Sequence, residues 1–183
     1  MSEQKKFPHL MVDIESLGTT ADSVVLSIGL VPFEMDGTTG RGVEFFPRIQ
    51  PQFYKRRVMW SSVQWWLKQE QMVRFQQSDA ERYKDLKDCM KDLSCFCEEN
   101  LSKNFKIWGN GFDVAMINQI YAEYEMETPY SYKNIFDTRT LVWLSKISTN
   151  KYSDENDLKH STISDCNFQI RFVVDGYKIL RDY

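Results

Sequence analysis

Residues 7–15 read Phe-Pro-His-Leu-Met-Val-Asp-Ile-Glu, an apolar, strand-like run that carries two carboxylates, Asp13 and Glu15, two positions apart. On a strand that spacing sends both side chains out of one face, while Val12 and Ile14 point the other way, into a core. Two carboxylates on one face of a largely buried strand repel each other and cost stability unless a cation satisfies them. The chain must therefore cover that face with solvent or hold a hard cation against it. With 26 acidic residues, an Asp-x-Glu somewhere is expected by chance, so the pair alone leaves both readings open.

The surrounding pattern defines the fold class. Residues 23–33 and 42–49 are also rich in Val, Ile, Leu and Phe, and Gly-Thr-Thr-Ala-Asp and Met-Asp-Gly-Thr-Thr-Gly turns separate the three runs. Residues 50–57 are polar, contain Lys55-Arg56-Arg57 and read as a loop, with the cluster either solvated or set against phosphates. Ser61 or Ser62 can cap a short helix carrying Trp65, Trp66 and Leu67. Residues 79–101 form a long amphipathic helix with Leu86, Cys89, Met90, Leu93, Phe96 and Cys97 on one stripe. A short strand at 105–108, the turn Gly109-Asn110-Gly111 and a helix over 112–124 with Met116, Ile117 and Ile120 inward come next. A strand at 135–137 leads into a helix through Leu141 and Leu144. The last helix starts near Ser161 and turns Ile163, Cys166, Ile170, Val173, Val174 and Tyr177 inward. Three successive strands, then helices interleaved with short strands, imply an α/β fold, a mixed sheet flanked by helices, in one domain over residues 1–183.

Several classes are excluded. No stretch approaches the roughly 20 apolar residues of a membrane helix, and the start of the chain has no apolar signal region, so a cytoplasmic protein is expected. Cys89, Cys95, Cys97 and Cys166 lack a Cys-x-x-Cys pair and read as reduced thiols rather than a zinc site. His9, beside the first strand, reads as incidental.

Three further residues can join Asp13 and Glu15. Asp113 follows the glycine turn and opens a helix, where a carboxylate is either an ordinary cap or a metal ligand. His160 and Asp165 are five apart, about 140° around a helix, so they share a site only if His160 lies on the segment entering the helix. The polar, aperiodic residues 148–159 before it suit such a loop, where a histidine can equally be a bystander. Carboxylates gathered from distant segments with one histidine beside them suit a pair of hard divalent cations and a general base, the equipment for hydrolysing a phosphodiester. Two Mg²⁺ in such a cluster would turn the net charge of −3 into +1, so the acidic balance is a weak argument against a nucleic-acid partner.

Asp-Ile-Glu on the first strand, Gly-Phe-Asp at a helix start and His-x4-Asp near the C-terminus resemble the three motifs of the DnaQ-like exonucleases, in their DEDD-histidine branch. Residues 61–69, Ser-Ser-Val-Gln-Trp-Trp-Leu-Lys-Gln, and 137–141, Asp-Thr-Arg-Thr-Leu, resemble its phage and prophage members and bacterial relatives that act on RNA. The resemblance implies a ribonuclease H-like fold and metal-dependent 3′-5′ removal of nucleoside monophosphates, from DNA as the favoured substrate or from RNA. It implies that Asp13, Glu15 and Asp165 ligate one Mg²⁺, that Asp13 bridges to a second held by Asp113 mainly through water, and that Mn²⁺ can substitute. It makes His160 the base that takes the proton from the attacking water. Ser16 and Leu17 would meet the terminal nucleotide, Leu17 as a wedge or as plain packing, and Asn110 would stand at the strand in its turn. Of the adjacent Trp65 and Trp66, one packs and the other, taken as Trp66, stacks on a base. The expected partner is a nucleic-acid 3′ end, with no membrane, and the protein is a monomer or homodimer. A binding module without catalysis is the alternative, and it has no need of four converging carboxylates.

Overall fold

The structure is a computed structural model that describes residues 5–69, 83–149 and 161–182. Strands β1 (Phe7–Ser16), β2 (Val25–Phe33), β3 (Val43–Pro47), β4 (Tyr83–Lys84), β5 (Leu101–Gly109) and β6 (Ile135–Asp137) form one sheet in the order β4-β3-β2-β1-β5-β6. β1 is antiparallel to β2 and parallel to β5, so the sheet is mixed. The α-helices are α1 (Trp60–Trp66), α2 (Leu86–Asn100), α3 (Asp113–Glu123), α4 (Thr138–Ser145) and α5 (Thr162–Arg181), with short 3₁₀ helices at Gln50–Tyr54 and Tyr132–Asn134.

The two faces of β1 explain the layering. Leu10, Val12 and Ile14 pack with Leu86, Met90 and Leu93 of α2 and with Met116, Ile117 and Ile120 of α3. Met11, on the opposite face, packs with Val31, Phe33, Trp108 and the α5 residues Cys166, Ile170 and Val173. Asp13 and Glu15 share the Met11 face and so lie under α5, as their spacing predicts. All nine residues of β2 are buried, as befits a strand covered on both sides. A third cluster of Leu17, Val24, Leu26 and Trp66 seats α1 beside the end of β1.

Some expectations need correction. Gln50–Tyr54 is a 3₁₀ helix rather than open loop. α1 begins at Trp60 after Met59, whose N–H donates to Leu17 O at 2.8 Å, so Ser61 and Ser62 lie inside its first turn and cap nothing. Tyr83–Lys84 is a strand and α2 starts only at Leu86; residues 79–82 of the expected helix lie outside the described residues. Tyr177 is 41% exposed rather than inward. Arg56 is buried and neither solvated nor free for phosphate: its guanidinium donates to Ser23 O, Ala21 O and the Glu123 carboxylate at 2.8, 2.8 and 2.6 Å. All four cysteines are free thiols, Cys95 alone being exposed. Among the described residues no helix is long and apolar enough to cross a membrane.

His9 is not incidental either. It is buried within β1, accepts the Trp108 indole N–H on Nδ1 at 3.2 Å and stacks near Phe33. Burial, aided by the charge of Lys106, pushes its pKa down to about 4. The unfolded chain takes up a proton near pH 6.5 that the fold refuses until about pH 4, so stability is lost as pH falls through that window. His9→Gln, which keeps an acceptor for Trp108, should reduce the loss in urea-unfolding free energy between pH 7.5 and pH 5 by about 1–2 kcal/mol. Identical pH dependence in the two proteins would refute a neutral core histidine.

Candidate active site

β1 and β5 run parallel, so their C-termini lie at the same end of the sheet, which is where the candidate residues collect. The β1–β2 register slips between Glu15 and Ser16, ending the regular strand just after the second carboxylate. Gly109 closes β5, the chain turns through Asn110 and Gly111, the latter at φ +50°, and Asp113 opens α3. Asp165 lies in the first turn of α5.

What brings Asp165 to the sheet is a row across three strands. Asp13, Gly29 and Glu44 are register partners on β1, β2 and β3. Thr162 fills the space above Gly29; a Cβ on that glycine would lie 2.5 Å from the Thr162 Cβ. Thr162 is fully buried, and its hydroxyl donates to Glu44 Oε1 at 2.7 Å. One turn on, Cys166 packs its thiol 3.5 Å from Gly29 O and 3.7 Å from Met11 O. α5 therefore lies directly on the sheet, and one carboxylate oxygen from each of Asp13, Glu15 and Asp165 falls within 4.8 Å of the others.

Asp113 stands beside this trio rather than in it. It is buried and its Oδ2 accepts the Asn110 N–H at 2.9 Å. The turn that holds it is clamped from the next element, since Gly111 N–H donates to Asp137 Oδ2 at 2.8 Å and the Thr138 hydroxyl donates to Asn110 Oδ1. Asn110 thus braces the turn with both backbone and side chain.

Burial dominates the electrostatics. It pushes Asp13 well above the usual carboxylate range, with Asp113, Glu15 and Asp165 adding repulsion and the Gln169 amide opposing it. Glu15 is pushed up to about 8 by burial, then by the charges of Asp165, Asp113 and Glu44. Asp113 rises to about 7 through burial, opposed by its Asn110 hydrogen bond and the charge of Arg139. Hard oxygen donors that are half-buried at Asp13, Glu15 and Asp165, buried at Asp113, and mutually repelling fit a hard divalent cation.

A cleft of about 310 Å³ opens beside Glu15, walled by Ser16, Thr19, Ser61, Ser62, Trp65 and Phe112 among others. Trp66 contributes to the cleft's base but is only 1% exposed, and its indole N–H donates to Ser16 O at 2.9 Å. Trp66 is thus too buried for the stacking expected of it, whereas Trp65 is 41% exposed and stands edge-on to it. Leu17 is buried against Val24, Leu26 and Trp66, so it is packing and not a wedge. The Ser16 hydroxyl donates to Gly18 O at 2.6 Å and shapes the lip of the cleft. His160 lies outside the described residues.

Sequence reasoning missed Gln169, Glu44, Gly29 and Phe112. Gln169 was findable, being four residues after Asp165 on one helical stripe. Glu44 and Gly29 had no local signal, because only strand register sets them beside Asp13.

A model of the family described as the 3′-5′ exoribonuclease Rv2179c-like domain matches residues 8–175. Among solved structures, the zinc-bound E. coli exonuclease I complex with single-stranded DNA shares 12% identity at a TM-score of 0.60, over 97% of this chain and 41% of that one. Exonuclease X in complex with 5′ overhanging duplex DNA shares 14% identity at 0.55, over 93% and 91%. Exonuclease I from Methylocaldum szegediense shares 11% at 0.59, over 95% and 40%. These likenesses establish the ribonuclease H-like fold. The chain spans about two fifths of the length of the exonuclease I chains. No curated protein sequence matches it.

The raised carboxyl pKa values make a prediction about the metal-free protein. A group held at about 8 keeps a proton that the unfolded chain releases near 4.5, so its contribution is full below about pH 4.5 and is lost as pH rises to 8. Glu15→Gln should therefore be more stable than wild type in EDTA at pH 8, by on the order of 2 kcal/mol, with the gap closing near pH 4.5. Added Mn²⁺ should stabilise the wild type more than the variant. A gap that stays constant with pH in EDTA would rule out the repulsive cluster.

Proposed function

The chain belongs to the family of Rv2179c-like 3′-5′ exoribonuclease domains, and on that premise we propose that it is a metal-dependent 3′-5′ exonuclease that hydrolyses phosphodiester bonds at the end of the sheet where β1 and β5 terminate. The observation that carries this reading is the convergence of Asp13, Glu15 and Asp165 within 4.8 Å, with buried Asp113 beside them. Asp13, Glu15 and Asp165 would hold one Mg²⁺, and Asp13 with Asp113 a second, Mn²⁺ serving in their place. Such ions, when bound, stabilise the charge that develops on the attacking and leaving oxygens.

The protein's own groups do the rest. His160 precedes Ser161, the residue before α5, and so stands five positions from Asp165 in the sequence. We assign it the proton of the attacking water, a role that a neutral imidazole performs near pH 7–8. Trp65 and Phe112 offer aromatic surface to the terminal base across the cleft next to Glu15. Ser61, Ser62 and Thr19 line the same cleft with hydroxyls that can hydrogen-bond a ribose 2′-hydroxyl.

The family match and these hydroxyls favour RNA 3′ ends. DNA is the second reading, supported by the exonuclease I and exonuclease X structures, which hold single-stranded and duplex DNA. The protein would act in the cytoplasm as a single catalytic domain.

Matched RNA and DNA oligonucleotides labelled at the 5′ end, digested with Mg²⁺, test the reading. We expect ladders that shorten from the 3′ end, faster on RNA, and no turnover by Asp13→Ala. Efficient cutting of a circular single strand would mean an endonuclease, and near wild-type turnover by Asp13→Ala would defeat the metal assignment.

Trp65→Ala should raise KM for a short strand by roughly tenfold or more, the worth of one base stacked on an aromatic ring, and leave the fold intact. Trp66→Ala should instead lower the melting temperature, since it empties a core position. The reverse pattern would restore Trp66 to the substrate.

A further inference from the structure

Gln169 follows Asp165 by four residues on α5, so both side chains leave the same stripe of the helix towards the sheet. It is 3% exposed, and its Nε2 donates to Asp13 Oδ1 at 2.7 Å. Its own Oε1 is buried without a hydrogen-bond partner among the described residues. Cys166, Ile170 and Val173 around it are packed core residues, a setting in which a hydrocarbon side chain would leave no stranded acceptor. The amide is therefore poorly accounted for by packing and well accounted for by the one bond it makes.

We propose that Gln169 is a positioning residue for the exonuclease reaction, fixing the Asp13 carboxylate so that its second oxygen faces the divalent cation. The inference rests on the reading of Asp13 as a metal ligand. The choice of a neutral donor follows from the same chemistry. A lysine or arginine here would neutralise Asp13 and compete with the cation for it, whereas an amide orients the carboxylate and leaves its charge available. Anchoring from α5 also couples Asp13 to Asp165, since one helix both supplies a ligand and aims another. Groups that orient metal ligands in this way commonly change metal affinity by roughly 10–100-fold when removed.

The test uses Gln169→Leu and Gln169→Met, the latter unbranched and of nearly the same length, with Asp13→Ala in parallel. Mn²⁺ affinity is measured by calorimetric titration of the full chain, and kcat and KM are measured on a labelled oligonucleotide at saturating Mn²⁺. We expect both Gln169 variants to bind Mn²⁺ roughly 10–100-fold more weakly. At saturating metal kcat should fall while KM for the strand stays at the wild-type value. Wild-type Mn²⁺ affinity in whichever Gln169 variant folds, with only a lowered melting temperature, would overturn the proposal and leave Gln169 a packing residue. If that happens while Asp13→Ala loses Mn²⁺, the metal site stands and only the role of Gln169 falls. If Asp13→Ala also binds Mn²⁺ like wild type, the metal reading itself fails and takes the inference with it.

Discussion

The contact of Thr162 with the bare backbone of Gly29 sets how closely the acidic residues of helix and sheet approach one another. A helix lying on a sheet normally stands off by the depth of the side chains that project from both. Here one of those side chains is missing, and Thr162 occupies the gap with its hydroxyl tied to Glu44. The start of α5 is thereby drawn down onto β2, and Asp165 reaches carboxylates that belong to β1. The same approach carries Cys166 and Gln169 into contact with the sheet. A methyl group on Gly29 would push against a buried β-branched residue that has nowhere to move.

Bringing those carboxylates together is unfavourable on its own, and the fold shows where the opposing stability comes from. β1 is held on both sides, by β2 and by β5, and apolar clusters cover both of its faces. The strand that carries the charge is thus the one least able to yield. The lip of the cleft is fixed as firmly, since Met59 and Trp66 bond to Leu17 and Ser16 and Arg57 bonds across to Asp22 and Val24. Preorganisation of this kind spares the reaction the cost of gathering its groups.

How far the sequence could be read depended on whether the cause was local. Alternation along residues 7–15 reveals a buried strand and its acidic face, and helical spacing reveals α3 and α5 with Asp113 and Asp165 at their starts. These are properties of neighbours in the chain. The row Asp13–Gly29–Glu44 is a property of strand register, and no pattern within residues 25–33 announces that Gly29 must be bare. The tryptophans fail for a related reason: adjacency shows that Trp65 and Trp66 diverge, but only the seat beneath α1 says which one is buried. Arg56 misleads because a basic run looks solvated until the carbonyls of Ala21 and Ser23 arrive from another segment. His9 misleads because its partner Trp108 is 99 residues away.

The division between Trp65 and Trp66 bears on how a lineage of such proteins can change. One indole is committed to the backbone of Ser16 and to the interior, while its neighbour stands at the mouth of the cleft. Mutations at position 65 can therefore be sampled without threatening the architecture, whereas position 66 is closed to drift. Placed back to back on one short helix, the pair mounts an exposed residue on a buried one. A change in the surface that walls the cleft can then arise at a single site, leaving the acidic cluster and its scaffold untouched.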